Sequence, residues 1–111
     1  MNTEYGIGGF SIKSDGRRFY VYSGETLLDS FKEFETAAGL LGDLHLSKKA
    51  TGDDRIGTKA FCPSVFGNGD AVVVVAKVDE GYIVQPTGST SRMTVAEEYL
   101  SEIPEMFGEE R

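Results

Sequence analysis

Cys62 and His45 are the only thiol and the only imidazole in the chain, so any thiol or imidazole chemistry rests on these two residues. A thiolate–imidazole pair, with Asp43, Asp53 or Asp54 to orient the ring, would make a cysteine nucleophile. Nothing in the spacing favours that pair. Cys62 sits between Phe61 and Pro63, as a small buried thiol does, and His45 falls on an apolar stripe near the expected end of a helix. No catalytic residue is assigned. The two residues also fall short of the four Cys or His ligands of a structural zinc site. Asp43, Asp53 and Asp54 are hard-cation ligands by type, but the D-x-[DN]-x-[DN]-G loop is missing. No metal and no cofactor is expected.

Binding surfaces are better represented than catalytic ones. Tyr20 and Tyr22 alternate along one expected strand, with Lys13, Arg17 and Arg18 near the adjoining turn. Tyr and Arg are enriched where proteins bind partners, and the same set could stack on a nucleotide base. A second candidate is the link holding Ser89, Ser91 and Arg92, where hydroxyls and a guanidinium meet the expected start of a helix and suit an anionic ligand. Gly6-Ile7-Gly8-Gly9 leads into a strand, whereas a phosphate-cradling glycine loop leads into a helix.

The charge is unevenly placed. Of the net −7, residues 94–111 carry −5, with Glu97, Glu98 and Glu102 on the expected outer face of a helix. Such a face suits a protein partner with a basic surface, and it also keeps a small domain soluble. The acidic balance argues against generic nucleic-acid binding, which needs clustered Lys and Arg. A single cysteine excludes an internal disulfide and fits a reducing compartment. The N-terminus lacks a basic segment followed by an apolar one, and the longest apolar run, 71–76, is too short to span a bilayer. These features predict a cytoplasmic protein with no membrane association.

The elements that must position these residues follow from pattern. The run 71–78 is the longest β-branched stretch; Asp79-Glu80-Gly81 and a return strand follow it. Gly81 suits the left-handed position of a three-residue loop, which would place Val72, Val74, Ala76, Val78, Tyr82 and Val84 on one face. Val73, Val75 and Ile83 remain on the other, so both faces require cover. Upstream, Asp15-Gly16 as a two-residue turn pairs Ile12 with Phe19 and Phe10 with Val21. A third strand covers 26–29. Ser30-Phe31-Lys32-Glu33 and Thr94-Val95-Ala96-Glu97 have the S/T-x-x-E form of a capping box, predicting helices over 31–46 and from 94 through 103. Gly39 and Gly42 inside the first mark either a close backbone approach or a weak helix. The stretch 47–70 reads as a long loop that either hides a strand near 56–61 or is functional.

The expected fold is a single α+β domain over 1–111: a mainly antiparallel sheet of about five strands with two helices, in the order β-β-β-α-β-β-α. A homodimer is left open by the doubly apolar hairpin. The expected function is a non-enzymatic small acidic interaction protein that binds and modulates or inhibits a larger macromolecular partner. Small prokaryotic or phage proteins that block nucleic-acid-handling machinery match it in size and charge. The alternatives are a small-molecule or nucleotide-binding domain and, behind it, a cysteine-dependent enzyme.

Overall fold

The computed structural model describes residues 2–61 and 71–102, an α+β fold of two antiparallel sheets and one helix. Strands β1 (Asn2–Ile7), β2 (Phe10–Ser14), β3 (Phe19–Ser23) and β4 (Thr26–Phe31) form a four-stranded meander in sequence order. Helix α1 (Phe34–Thr51) follows. Strands β5 (Lys59–Phe61), β6 (Ala71–Val78), β7 (Gly81–Pro86), β8 (Met93–Val95) and β9 (Ser101–Glu102) form the second sheet, in the order β8-β7-β6-β5-β9. A 3₁₀ turn, Glu97–Tyr99, joins β8 to β9. Those two strands lie on opposite edges, so five residues carry the chain from one edge of the sheet to the other.

Both faces of β6–β7 are covered, as the sequence requires. Val73 and Val75 join Phe10, Ile12, Val21, Leu28 and Phe31 of the first sheet and Ala37, Leu40, Leu41 and Leu44 of α1 in the larger core. Helix α1 lies against the inner face of the first sheet and against β6, and its buried side is centred on Leu40, Leu41 and Leu44. Val72, Val74, Tyr82 and Val84 face the other way, into a smaller core closed by Ala60, Val95 and Leu100. Gly39 and Gly42 face open space, so they mark no close backbone approach.

Several expectations are corrected. The second helix does not form over 94–102: Thr94 pairs with Ile83 in β8, and Val95 and Leu100 are core residues. Residue 103 lies outside the described residues. Thr94 and Val95 are β-branched and lie beside an open edge of β7, so a ladder with long-range partners outcompetes a short capped helix. The first capping box fails for the same reason. Ser30 and Phe31 stay in β4, where Phe31 pairs with Phe19, and α1 starts one turn later with Glu33 at an uncapped N-terminus. The Ser30 side chain is taken instead by Arg18, whose Nε donates to Ser30 Oγ at 3.0 Å. The stretch 47–70 does hide a strand, β5, while residues 62–70, with Cys62, lie outside the described residues.

Two hairpin registers also differ. Ile12 pairs with Val21 and Ser14 with Phe19, so the first loop spans four residues, 15–18. A shift of two residues along a pleat keeps each side chain on its face, so Phe10, Ile12, Phe19 and Val21 still point inward. In the second hairpin Val78 pairs directly with Gly81 across a two-residue loop, and a bulge falls between Val74 and Ala76. The bulge changes the phase of the strand. Ala76 pairs with Ile83 on the helix side, and Lys77 pairs with Tyr82.

Two contacts fix the sheets in place. Gly81, at φ 149°, packs its Cα against the backbone of Val95 and Ala96, leaving no room for a Cβ. The buried Asp29 carboxylate on β4 accepts the Gly88 N–H from the turn after β7, at 2.9 and 3.1 Å on its two oxygens, and the Ser30 N–H at 2.7 Å. Gly81→Ala is expected to lower stability by about 2 kcal/mol or more, from backbone clash and strain. Asp29→Ala is expected to cost about 1–3 kcal/mol by leaving amide donors unmet. Urea unfolding of each variant against the parent checks both values.

Candidate interaction face

The outer face of the first sheet is built by alternation. With Phe10, Ile12, Val21, Leu28 and Phe31 committed to the core, the intervening side chains turn outward. These are Ser11 and Lys13 on β2, Tyr20 and Tyr22 on β3, and Ser30 on β4. A bulge in the β3–β4 pairing places Leu27 opposite Tyr22, so this leucine stays 40% exposed while Leu28 is fully buried. Among the described residues, α1 is the only element outside this sheet with substantial contact to β2, β3 or β4, and it packs on the inner face. Tyr20 and Tyr22 are half-buried on this face, and no other described element makes substantial contact with it.

Its polar groups are ordered. Asp15 Oδ1 accepts the N–H groups of Arg17 and Arg18 at 2.9 and 3.1 Å, and Oδ2 accepts the Tyr20 hydroxyl proton at 2.9 Å. The amide donors, Arg17 first, and then the Tyr20 hydroxyl hold the Asp15 carboxyl down at about 2. The same hydrogen bond, from a phenol to a carboxylate, raises the Tyr20 hydroxyl above its ordinary value. Arg18 Nη2 donates to Ser30 O at 3.0 Å, alongside its Nε bond to Ser30 Oγ. Lys13 Nζ stands 4.8 Å from the centre of the Tyr22 ring, within cation–π range. The Arg17 side chain has no hydrogen-bond or ion-pair partner among the described residues. The structure thus gathers Tyr20, Tyr22, Arg17 and Arg18 at one turn and face, with Lys13 and Leu27 joining them. Leu27 escaped sequence reading, although two adjacent leucines in a strand require one to face outward.

The other candidates are placed differently. Arg92 Nε donates to Gln85 Oε1 at 2.7 Å and Nη1 to Asp43 Oδ2 on α1 at 2.6 Å. Gln85 Nε2 donates to Ser89 O, and Ser91 N–H to Ser89 Oγ. Ser89, Ser91 and Arg92 therefore tie the 87–92 link to the helix and to one another, and among the described residues no α-helix starts after them. Glu97 and Glu98 are exposed on the 3₁₀ turn, with Glu97 Oε1 4.0 Å from Lys77 Nζ, and Glu102 pairs through its backbone with Ala60 in β9. These acids stand on the second sheet, so they share no strand or turn with the tyrosines. His45 packs over Gly8, whose positive φ of 60° and lack of a side chain admit the ring. No helix among the described residues is long and apolar enough to cross a membrane.

No protein-family model matches this chain, and no match is found among the curated proteins or the solved structures.

The Asp15 turn yields a pH signature. A carboxyl held below its ordinary value stabilises the fold fully above about pH 4, and that contribution is lost as pH falls through 2. A carbon-13 NMR titration is expected to give Asp15 a midpoint near 2, moving upward in Tyr20→Phe, which removes one of the donors. A midpoint near 4 in the parent protein would mean the turn is not formed in solution.

Proposed function

We propose that the chain is a non-enzymatic interaction protein that docks on a larger protein partner and modulates or inhibits it, using the outer face of the β1–β4 sheet. The observation that carries this reading is the open sheet face that joins Tyr20 and Tyr22 to Lys13, Arg17, Arg18 and Leu27. Rigid aromatic side chains supply contact area at low entropic cost, and Arg and Lys supply directional and steering contacts at the rim. Asp15 and Ser30 hold Tyr20 and Arg18 in place before any partner arrives, which reduces the ordering cost of association.

The acids Glu97, Glu98 and Glu102 have a separate role in this proposal. They steer encounter with a partner that also carries a basic surface, an effect that salt screens over roughly 10 Å at 0.1 M ionic strength. Affinity capture of the tagged protein from a nuclease-treated prokaryotic lysate, with mass spectrometry, tests both parts. One partner at near-equal stoichiometry is expected, lost in Tyr20→Ala/Tyr22→Ala. In Glu97→Lys/Glu98→Lys it is expected to bind about tenfold more slowly at low salt. A partner retained undiminished by the tyrosine variant would remove this face from the function, provided the variant unfolds at the parent's urea midpoint.

A further inference from the structure

Helix α1 buries Leu40, Leu41 and Leu44, while Glu35, Gly39, Leu46 and Lys49 are exposed and Ala38 and Gly42 are half-buried. At roughly 3.6 residues per turn these six positions lie along one outer ridge of the helix. Leu46 is 63% exposed, more than any other large hydrophobic side chain among the described residues. It forms the common wall of two grooves. One, of about 350 Å³, is lined on its far side by Tyr5 and Ile7 of β1. The other, of about 480 Å³, is lined by Ile83 of β7 and Met93 of β8. Tyr5, Phe34, Leu46 and Met93 are four of the six exposed large hydrophobic side chains among the described residues, so exposed apolar surface is gathered around this ridge.

The charges on the ridge are self-complementary. Glu35 stands in the first turn of α1 and Lys49 in the last, and neither has an ion-pair partner among the described residues. Two such helices laid antiparallel, with their Gly42 residues opposed, set Glu35 of each copy against Lys49 of the other. Parallel alignment would oppose like charges instead. The antiparallel register also matches shape. Glu35, Ala38, Gly39 and Gly42 bound a shallow hole of the kind that receives one side chain from a facing helix, and Leu46 of the second copy falls opposite it. A Cβ added at Gly39 or Gly42 would have no atom within 4 Å, so packing inside the chain leaves that room unused. We infer that the outer ridge of α1 is the interface of a two-fold dimer, its occupant a second copy of this chain. The contact is isologous, since each copy supplies the same leucine, hole, acid and base. Because α1 packs on the inner face of the first sheet, this dimer leaves the tyrosine face of each copy free and does not depend on its role.

Sedimentation equilibrium of the full-length protein over a concentration series tests the inference. A reversible monomer–dimer equilibrium is expected, reaching twice the chain mass. Leu46→Glu puts a carboxylate into the hole beside Glu35 and is expected to weaken the dimer about a hundredfold, roughly tenfold at each of two symmetric sites. Gly42→Gln fills the hole with a polar side chain and is expected to weaken the dimer about as much. Its urea midpoint, measured where both proteins are monomeric, is expected at or above the parent's, because glutamine favours a helix over glycine. Glu35→Lys and Lys49→Glu are each expected to weaken the dimer about tenfold, and the double variant to restore it. A parent protein that stays monomeric up to about 1 mM would overturn the inference and leave the ridge to an unlike partner or to water. A dimer undiminished by Leu46→Glu and Gly42→Gln, or a double charge variant as weak as either single one, would overturn it as well.

Discussion

The β6–β7 hairpin is apolar on both faces, and the rest of the architecture answers that constraint. A strand pair with Val72, Val74 and Val84 on one side and Val73, Val75 and Ile83 on the other cannot tolerate water on either. One side is met by α1 and the whole first sheet. The other has no helix among the described residues, and the chain covers it by running β8, the 3₁₀ turn and β9 from one edge to the other. Gly81 permits that crossing, because only a residue without a Cβ lets the Val95 backbone lie against the hairpin turn.

How much of this was legible in the sequence depends on whether a signal was local or long-range. The inward faces of β2 and β3 were readable, since the pleat alternates whatever the register, and a two-residue slip preserved them. The central hairpin and its need for cover on both sides were readable from its β-branched run. The two capping boxes misled, because Ser30 and Thr94 sit on strands whose partners, Tyr20 and Ile83, lie 10 and 11 residues away. A local hydrogen-bond pattern states a preference, and a ladder with a buried face overrides it. Strand β1 escaped detection because Thr3, Glu4, Tyr5 and Gly6 are all exposed on an edge and carry no apolar alternation. The bulge at β6, which turns Lys77 towards Tyr82, leaves no mark in the composition of the strand.

The candidate site was legible to the same degree. Tyr20 and Tyr22 were visible through alternation, and their exposure depended on what the C-terminal segment does. Because 94–102 closes the second sheet, among the described residues nothing from it reaches the tyrosines. The acidic residues were visible as a cluster, but their geometry was not: on a helix they would have formed one face, whereas here Glu97 and Glu98 project from a single tight turn.

An uncovered sheet face carries a hazard, because an open apolar surface invites association with copies of the same chain. The composition of this one limits that hazard. Tyr20 ends in a hydroxyl held by Asp15, Lys13 lies over Tyr22, and Arg18 is fastened to Ser30, so each long side chain here carries a polar end. Like charges at Lys13, Arg17 and Arg18 would meet each other if two such faces came together, which opposes symmetric pairing. A different surface, one that can satisfy three cations and accept two phenols, meets no such repulsion. In the proposed docking role, the cations that oppose self-pairing also favour an unlike partner.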